Sequence, residues 1–520
     1  MSEPLPPQIV LATLNAKYFH ASLGLRYLMA NLGELQPSAV LREFTIHDRP
    51  ADIAEQLLAE QPRIIGLGVY VWNAEQTRAL VDVLKQVAPQ TVVVLGGPEV
   101  SHEWQGQPVV AAADYVVTGQ ADLAFAQLCR AILAGQPPGE KVIAAGEVAL
   151  DQLQLPYAWY SEQDIAHRLI YVEASRGCPF KCEFCLSALD RTAVPFELDR
   201  ILAELAELYR RGVRHFKFVD RTFNLSPTTG RRILEFFLER LVPELFLHFE
   251  LVPDRLPAGL RELLVQFPAG VLQLEIGIQS LQPEVQQRIS RRQDDEQTFE
   301  NLLWLRTFTK AHLHVDLIAG LPGETMAQFG AGFDRLVALD PQEIQVGILK
   351  RLRGAPIARH TQAFALRFDP APPYQVLSTS TWPFADLQRL GRLARYWDLI
   401  GNSGRFAETK SLILGDQPFA RMLALSDWLF AEIGQTHQIA LERLFRLLSR
   451  GLVEALGLDQ QQARAVLASD YGRSGLRGTP AELGLAKTAV TAPGGRRGAD
   501  RQRRHLRVAG PGTAAEEGHP

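Results

Sequence analysis

The sequence predicts an α/β protein with three folded parts. These are an N-terminal doubly wound Rossmann-like domain, a central partial (β/α)6 TIM-like barrel and a C-terminal mostly helical domain. The 520 residues exceed what a single core holds, since chains divide into domains beyond about 250–300 residues. Short apolar runs without polar alternation, separated by helical periodicity, are typical of parallel strands covered on both faces. After about residue 360 these runs stop and helical periodicity remains.

The first predicted domain covers residues 1–140. Strands are predicted at 9–14, 64–71, 91–95 and 114–118, and helices at 21–35, 74–87 and 123–133. Doubly wound sheets bind ligands at the loops that follow the carboxyl ends of their strands. Glycine and proline at 135–139 mark a break, and residues 141–168 are predicted to be a linker.

The second predicted domain, the partial barrel, covers residues 169–355. A full eight-fold barrel needs about 250 residues, so this stretch has room for only part of one. The alternation of apolar runs and helical patterns gives six repeats. Their strands are predicted at 169–174, 213–219, 245–251, 271–278, 313–319 and 343–349, with helices at 198–210, 230–241, 299–310 and 326–339.

Residues 356–478 are predicted to form the helical domain, with helical stretches at 386–400 and 421–456. The remainder, 479–520, is rich in Gly, Pro, Ala and Arg, a composition that does not bury a core. We therefore predict a disordered tail. Its arginines between 496 and 507 lack interleaved aromatic residues, which favours a solvated tail over a nucleic-acid contact.

The overall composition excludes several classes of protein. Hydrophobic residues make up 47% and charged residues 22% of the chain, as in ordinary globular proteins. A net charge of −4 gives no general attraction to nucleic acid or anionic membranes, so neither is expected as a partner. The sequence shows no apolar run of membrane-spanning length and no signal-peptide pattern at its start. Four cysteines, three of them clustered, do not make a disulfide framework, and a cytoplasmic location is expected.

Cys178, Cys182 and Cys185 form the most informative pattern in the chain, with the spacing C-x3-C-x2-C. Three thiolates on one loop can hold three irons of a 4Fe-4S cluster and leave the fourth iron open to a reactant. A zinc site is an alternative, but it usually requires a fourth ligand, and three core thiols are another. The fourth cysteine, Cys129, lies in an apolar helical stretch and is predicted to be a buried hydrophobe.

With Phe184 before the last cysteine, the motif resembles that of the radical S-adenosylmethionine (SAM) superfamily. The resemblance implies that Cys178, Cys182 and Cys185 bind a 4Fe-4S cluster whose open iron is chelated by SAM. It also implies that an electron, from a donor such as flavodoxin or ferredoxin, cleaves SAM to a 5′-deoxyadenosyl radical.

Further motifs lie at the ends of later predicted strands, where this superfamily contacts SAM. The resemblance implies contacts to the amino group after the second strand, to the ribose and carboxylate after the fourth, and to the adenine after the fifth. The residues that these motifs place near SAM are Phe184, Asp220, Arg221, Glu275, Gln279, Ser280, Asp316, Ile318, Gly320, Gly323 and Glu324.

The N-terminal domain resembles the cobalamin-binding domain that precedes many such barrels. The resemblance rests on residues 14–20, 24–28, 69–72 and 96–100. It implies cobalamin contacts at Asn15, His20, Gly24, Gly96, Gly97 and Pro98. Domains that ligate cobalt through histidine carry D-x-H-x-x-G, which this loop lacks, so His20 is predicted to make a loop hydrogen bond instead. A degenerate Rossmann-like domain with a purely structural role is the alternative.

The order of the parts resembles cobalamin-domain radical SAM proteins with an uncharacterised helical C-terminal domain. This resemblance implies an enzyme that transfers a methyl group to an unreactive carbon of a small molecule or peptide. A radical SAM reaction using cobalamin differently and a non-catalytic cobalamin and cluster sensor remain alternatives. Methylthiotransferases carry additional N-terminal cluster cysteines, which Cys129 alone does not supply.

Overall fold

The chain forms two compact units whose boundary differs from the predicted domain boundaries. The structure, a computed structural model, describes residues 7–190, 192–474, 476, 501–502 and 504–506. Unit 1 comprises residues 1–221, 350–359 and 368–375, and unit 2 comprises 222–349, 360–367 and 376–520. The division therefore falls within the predicted barrel, and not at residues 140, 168 or 355.

Unit 1 contains a six-stranded parallel sheet with the strand order β2-β1-β3-β4-β5-β6. These strands are β1 (Ile9–Asn15), β2 (Ala39–Thr45), β3 (Ile64–Gly68), β4 (Val92–Gly96), β5 (Tyr115–Thr118) and β6 (Val142–Ala144). The order confirms the predicted doubly wound domain. The prediction missed β2 and β6, the two edge strands, and placed β6 in the linker. All residues of β2 are half-buried, so its sequence lacks the continuous apolar run of a central strand.

Helices cover both faces of this sheet. They include α1 (Leu23–Ala30), α2 (Pro50–Ala59), α3 (Ala74–Val87), α4 (Pro98–Ser101), α5 (Pro108–Ala112) and α6 (Ala121–Leu133). One core joins the sheet to α2, α3 and α5, and a second joins it to α1 and α6. Cys129 of α6 is fully buried in the second core, which confirms its prediction as a hydrophobe.

The remaining elements of unit 1 frame the cysteine loop. They are α7 (Glu162–His167), β7 (Ile170–Val172), β8 (Ser175–Gly177), β9 (Ala193–Pro195), α8 (Leu198–Arg210) and β10 (His215–Phe218). Strands β7 and β10 pair in parallel, as predicted for the first two barrel strands. Strands β8 and β9 form an antiparallel pair on either side of the cysteines.

Unit 2 contains four parallel strands in the order β14-β13-β12-β11. They are β11 (Phe246–Leu251), β12 (Leu272–Gln279), β13 (His312–Ala319) and β14 (Glu343–Ile348), with helices α9 (Pro227–Leu238), α10 (Ala258–Leu264), α11 (Pro283–Arg288), α12 (Asp295–Phe308) and α13 (Met326–Ala338). Along β12, buried and half-buried residues alternate strictly, so polar side chains share one face of the strand. All four strands lie within a few residues of their predicted positions.

The C-terminal part of unit 2 is helical, as predicted. Its helices are α14 (Phe384–Ile400), α15 (Ala407–Leu414), α16 (Pro418–Ile433), α17 (Leu441–Glu454) and α18 (Gln460–Arg473). The stretch predicted as continuous at 421–456 is two helices, because Gly434 caps α16 in the left-handed conformation with φ 65°. Among the described residues, no helix combines the length and apolar character needed to cross a membrane.

Part of the predicted disordered tail is ordered. Residues 501–502 and 504–506 are helical, and the prediction is wrong for them. Arg501 forms ion pairs with Glu343 and Asp398, and Gln502 donates a hydrogen bond to Gln273. The rest of residues 479–520 lies outside the described residues.

A buried carboxylate, Glu43, organises the loop that follows β1. Its Oε1 accepts hydrogen bonds from the Asn15 side chain at 3.0 Å and the Ser22 backbone N–H at 2.6 Å. Its Oε2 pairs with Arg26 at 2.8 Å and with Arg168 at 2.6 Å. The Glu43 side chain is 3% exposed, and these four donors satisfy both oxygens. Glu43 thus connects the ends of β1 and α1 to the segment that leads into β7.

We expect Glu43→Gln to destabilise the protein by about 3–5 kcal/mol, because it removes one of the two carboxylates, Glu43 and Asp164, that pair with the buried guanidinium groups of Arg26 and Arg168. Urea unfolding monitored by tryptophan fluorescence would measure this loss.

Glu60→Gln is the matched control, because Glu60 pairs with Arg42 at a partly exposed site. Exposed pairs contribute about 0–1 kcal/mol, so this variant should unfold close to wild type. Equal unfolding midpoints for the two variants would contradict the role assigned to Glu43.

Candidate functional site

The three clustered cysteines lie on one loop between β8 and β9. Cys178 and Cys182 are buried and Cys185 is half-buried, and none of the three forms a disulfide bond. The Cys185 backbone N–H donates to the Cys182 carbonyl at 3.0 Å, which turns the chain between these two thiols. Burial raises the pKa of the Cys178 thiol. A metal ion reverses this effect, because coordinated thiols lose their proton.

The position of Gly177, directly before the first cysteine, accommodates only glycine. Its φ is 96°, and a Cβ atom there would collide with the carbonyl oxygen of Thr192, the residue before β9. The β8–β9 pair can therefore close tightly around the start of the cysteine loop.

A buried charge inside the loop fixes its second half. Glu183 is 2% exposed, and its carboxylate pairs with Arg359. The Ile357 backbone N–H also donates to the Glu183 carbonyl at 2.9 Å. Residues 350–359, which belong to unit 1, thus brace the cysteine loop through side chain and backbone.

Asp220, predicted as a SAM contact, holds the chain just before the cysteine loop. Its carboxylate accepts hydrogen bonds from the Ala174 backbone N–H at 2.9 Å and the Ser175 hydroxyl at 2.6 Å. Burial raises its pKa to about 6, although these hydrogen bonds oppose the shift. The two oxygens are engaged in positioning β8, while the adjacent Arg221 is exposed.

A groove of about 290 Å³ opens at the carboxyl ends of β3, β4 and β5 in unit 1. Its walls include Gly24, Gly96 and Gly97, three of the residues predicted to contact cobalamin. Gly97 has a φ of 108°, and a Cβ there would lie 2.5 Å from the Val69 carbonyl oxygen. At Gly96 a Cβ would meet only the Val117 carbonyl, at 3.6 Å, so this glycine leaves space in the groove.

The other three predicted cobalamin residues do not line this groove. Asn15 donates to the His20 carbonyl and to Glu43, both at 3.0 Å, and supports the loop after β1. His20 Nδ1 lies 2.6 Å from the Tyr171 hydroxyl of β7, which confirms the predicted loop hydrogen bond. Burial and the nearby lysines lower the pKa of His20. Pro98 begins α4 beyond the groove.

Arg176 links the groove to the cysteine loop. It lines the groove, and it lies two positions before Cys178. Its guanidinium pairs with Glu173 at 2.8 Å and with Asp122 at 3.2 Å, and it lies over the Tyr27 ring. Sequence reasoning missed this residue, since its partners Asp122 and Tyr27 come from distant elements.

In unit 2, the predicted SAM residues of β12 and the loop after β13 lie among buried polar groups. Gln279 has a φ of 70°, and its Oε1 is buried with no hydrogen-bond partner among the described residues. Ser280 donates to Glu324 Oε1 at 2.6 Å, while Glu324 Oε2 is likewise buried and unpartnered within the described part of the chain. Burial raises the pKa of Glu324 to about 8, so its carboxyl is largely protonated at neutral pH.

The glycines of the next motif make close approaches. Gly320 and Gly323 have φ values of 82° and 75°, and their missing Cβ atoms leave room for Val376 and Arg288 respectively. Ile318 is half-buried on β13. Close packing against Val376 and Arg288 within unit 2 therefore explains why glycine occupies positions 320 and 323.

Histidines that sequence reasoning missed accompany the predicted acids of unit 2. Glu275 bonds His248 at 2.8 Å, and Asp316 lies 3.1 Å from His314. Burial lowers the pKa of His314, but Asp316, Glu343 and Glu275 outweigh this and raise it to about 9. The sequence could have predicted that His314 lies beside Asp316, because residues 312, 314 and 316 alternate along one strand and therefore share one face.

Comparisons with known families agree with this organisation. Residues 9–129 match the B12 binding domain, residues 172–336 match the radical SAM superfamily, and residues 362–484 match a protein family of unknown function, DUF4080. The chain thus carries a B12 binding domain, a radical SAM domain and a DUF4080 region, as the resemblance predicted.

Two of the relatives that the chain matches are named as methyltransferases. The cobalamin-dependent radical SAM methyltransferase TokK of Streptomyces tokunonensis is 24% identical over 346 residues, 57% of this chain and 48% of TokK. The 2-(S-pantetheinyl)-carbapenam-3-carboxylate methyltransferase of Streptantibioticus cattleyicolor is 24% identical over 331 residues, with the same two shares. The chain spans about half the length of these curated relatives.

Two solved structures share the fold. The radical SAM methyltransferase TsrM of Kitasatospora setae, with cobalamin and a [4Fe-4S] cluster bound, gives a TM-score of 0.58 at 17% identity, covering 90% of this chain and 99% of TsrM. The cobalamin-dependent SAM radical enzyme OxsB, with aqua-cobalamin bound, gives 0.59 at 15% identity, covering 96% and 84%. These likenesses confirm the predicted architecture.

The pKa of Glu324 predicts a pH dependence of stability. Its folded pKa of about 8 exceeds the ordinary 4.5, so the folded state retains a proton that the unfolded state releases. Stability should therefore fall as pH rises from about 4.5 to 8, by up to about 5 kcal/mol, and level off above that. Thermal unfolding between pH 5 and 9 should show a weaker decline for Glu324→Gln than for wild type.

Glu284→Gln is the control, since this carboxylate is 81% exposed beside Arg288. Its midpoints should follow wild type across the range. If the unfolding midpoints of wild type and Glu324→Gln changed equally with pH, Glu324 would not be the group that retains a proton in the folded state.

Proposed function

We propose that this chain, which combines a B12 binding domain with a radical SAM domain, is a cobalamin-dependent radical SAM enzyme. The observation that carries the proposal is the position of the three-cysteine loop in the same compact unit as the glycine-walled groove. Arg176 contributes to both, because it lines the groove and precedes Cys178 by two residues.

The donor set of the loop fits an iron–sulfur cluster with one open iron. Cys178, Cys182 and Cys185 would supply three thiolates. The fourth cysteine, Cys129, is fully buried in the core of the N-terminal domain and is not a candidate fourth ligand. Gly177 and the pair Glu183–Arg359 hold the loop from either end before any metal binds.

The groove fits the nucleotide tail or an edge of a corrinoid, because its walls expose backbone where glycines replace side chains. Gly24, Gly96 and Gly97 would contact the ligand, as the resemblance implies. Asn15, His20 and Pro98 act on this site indirectly, through the loop after β1 and the start of α4. The hydrogen bond between His20 Nδ1 and the Tyr171 hydroxyl supports a role of this loop in positioning the site, without a cobalt ligand from His20.

Buried polar atoms in unit 2 fit the contacts that the resemblance assigns to SAM. Gln279 Oε1 and Glu324 Oε2 are acceptors that no described residue satisfies. A buried acceptor left unpaired costs about 1–3 kcal/mol, which a ligand donor would recover. Protonated Glu324 could itself donate to a ligand atom. The full proposed set of SAM contacts comprises Phe184, Arg221, Glu275, Gln279, Ser280, Asp316, Ile318, Gly320, Gly323 and Glu324, with Asp220 as a positioning residue.

When bound, the cluster, SAM and cobalamin would together supply a 5′-deoxyadenosyl radical and a transferable methyl group. The relatives named as methyltransferases support methyl transfer as the reaction, to an unreactive carbon of a small molecule or peptide. A small electron-transfer protein such as flavodoxin or ferredoxin would reduce the cluster in a cytoplasmic setting.

Cluster-dependent SAM cleavage tests the enzyme. Anaerobically reconstituted protein with dithionite and SAM should form 5′-deoxyadenosine, measured by liquid chromatography. Cys178→Ala should retain less than about 1% of this activity, because the cluster loses one of its three ligands.

Cys129→Ala is a matched control that removes a cysteine outside the loop, and it should cleave SAM like wild type. No 5′-deoxyadenosine from wild type, or equal amounts from Cys178→Ala and wild type, would reject the enzyme and favour a non-catalytic sensor.

Corrinoid retention tests the groove independently of SAM. Gly96→Leu would fill the open space beside β4 without backbone strain, since its φ is not positive. We expect at least about tenfold weaker cobalamin binding, near 1.4 kcal/mol, measured from the visible absorption retained after desalting.

Gly146→Leu is the control, because a side chain there would meet nothing within 4 Å and lies outside the groove. A wild-type protein that stays colourless at saturating cobalamin would leave the domain with a purely structural role.

A further inference from the structure

A second group of metal-binding side chains lies in unit 2, at the amino ends of its strands. His312 is the first residue of β13, and Glu343 is the first residue of β14. His505, from the ordered part of the C-terminal segment, lies against them. One ligand atom from each of the three lies within 4.8 Å of the others. We propose that His312, Glu343 and His505 bind a divalent transition-metal ion such as Zn²⁺, which fastens the C-terminal segment to the sheet.

Two of the three donor atoms are close to the geometry that such an ion requires, and the third, from His505, lies within 4.8 Å of them. His312 Nε2 and Glu343 Oε1 lie 2.8 Å apart and share a proton. Bonds of about 2.0–2.2 Å to a tetrahedral ion would set these atoms about 3.4 Å apart. An ion that replaces the proton therefore needs a shift of about half an ångström. Two histidines and one carboxylate are a common protein ligand set for zinc.

The surrounding groups orient these ligands as outer-shell partners do in known sites. His505 Nε2 donates to the Asn402 carbonyl at 3.0 Å, so its lone pair is on Nδ1. Arg501 donates to Glu343 Oε2 at 2.8 Å, which leaves Oε1 directed toward His312. Metal-binding histidines usually donate their second N–H to a carbonyl or carboxylate, and ligating carboxylates are themselves hydrogen-bonded.

An ion has a route to this group. A cavity of about 730 Å³ within unit 2 includes His312 and His505 in its walls. His312 and Glu343 are 6% and 4% exposed, so the ligands are shielded while the cavity admits water as a fourth ligand. Charged side chains, including Asp340 and Lys410, contribute to the walls of this cavity.

Without an ion, the same contacts would be a hydrogen-bonded network around Glu343. The two possibilities differ in one respect: only the metal site makes docking of residues 501–502 and 504–506 depend on a cation. This proposal does not depend on the proposed enzyme activity, because none of its residues belongs to the cysteine loop or the groove.

The test compares Zn²⁺ binding by the full-length wild type with His312→Ala, His505→Ala and His437→Ala. After incubation with Zn²⁺ and desalting, metal content is measured by plasma mass spectrometry. All variants keep the same cysteines, so the difference from wild type isolates this group. We expect His312→Ala and His505→Ala to bind one equivalent less, or at least about 100-fold more weakly. Exposed His437 lies outside the group, and its variant should match wild type.

Trypsin digestion gives a second readout, because Arg501 and Arg504 are cleavage sites within the docked segment. Zn²⁺ should slow cleavage there at least about tenfold in wild type, and chelation should reverse this; His505→Ala should show no such protection. His505→Ala changes one half-buried side chain, so it should leave the circular dichroism spectrum unchanged. Equal Zn²⁺ content in wild type and His505→Ala, or cleavage that is insensitive to Zn²⁺, would overturn the proposal.

Discussion

The arrangement of unit 1 depends on one buried carboxylate, Glu43. Two guanidinium groups, an amide and a backbone N–H converge on it, from the end of β1, the start of α1 and the approach to β7. Removing a buried charge with this many partners is destabilising, because four donors would lose a charged acceptor. The Leu169 backbone N–H also donates to the Phe19 carbonyl at 2.8 Å. The first loop of the N-terminal sheet is thus tied to the strand that leads to the cysteines, which explains why both belong to one compact unit.

Within unit 1, Arg176 connects the segment before the cysteine loop to the groove. Arg176 pairs with Glu173 on its own strand segment and with Asp122 at the start of α6. A guanidinium between two carboxylates at low exposure keeps one orientation, because both of its edges are engaged. The groove wall and the cysteine loop therefore share a rigid connection. In the proposed reaction, such fixed geometry would lower the entropic cost of bringing two cofactors together.

How far the sequence predicts this structure depends on the range of the interaction. Strands of both parallel sheets were predictable where the sequence has continuous apolar runs, because such strands are buried on two faces. The edge strand β2 was missed because its residues are half-buried. The cysteine loop was predictable because its ligands are adjacent in sequence. Glu183 and Arg359 pair across 176 positions, and no local pattern indicates such a pair. For Asp220, the motif predicted the position at a strand end but not the hydrogen-bond partners. Its oxygens accept hydrogen bonds from Ala174 and Ser175.

The chemistry of the two proposed metal centres makes them selective for different ions. Thiolates on the cysteine loop are soft donors that suit iron–sulfur clusters, whereas imidazole and carboxylate suit zinc and similar divalent ions. The cysteine loop is local and braced by Glu183, so it can assemble as soon as unit 1 folds. The histidine group is completed by His505, which follows His312 by almost two hundred residues, so it forms only after the C-terminal segment has docked. Occupancy of the second centre would therefore report whether unit 2 is fully assembled, while the first centre would serve the proposed reaction.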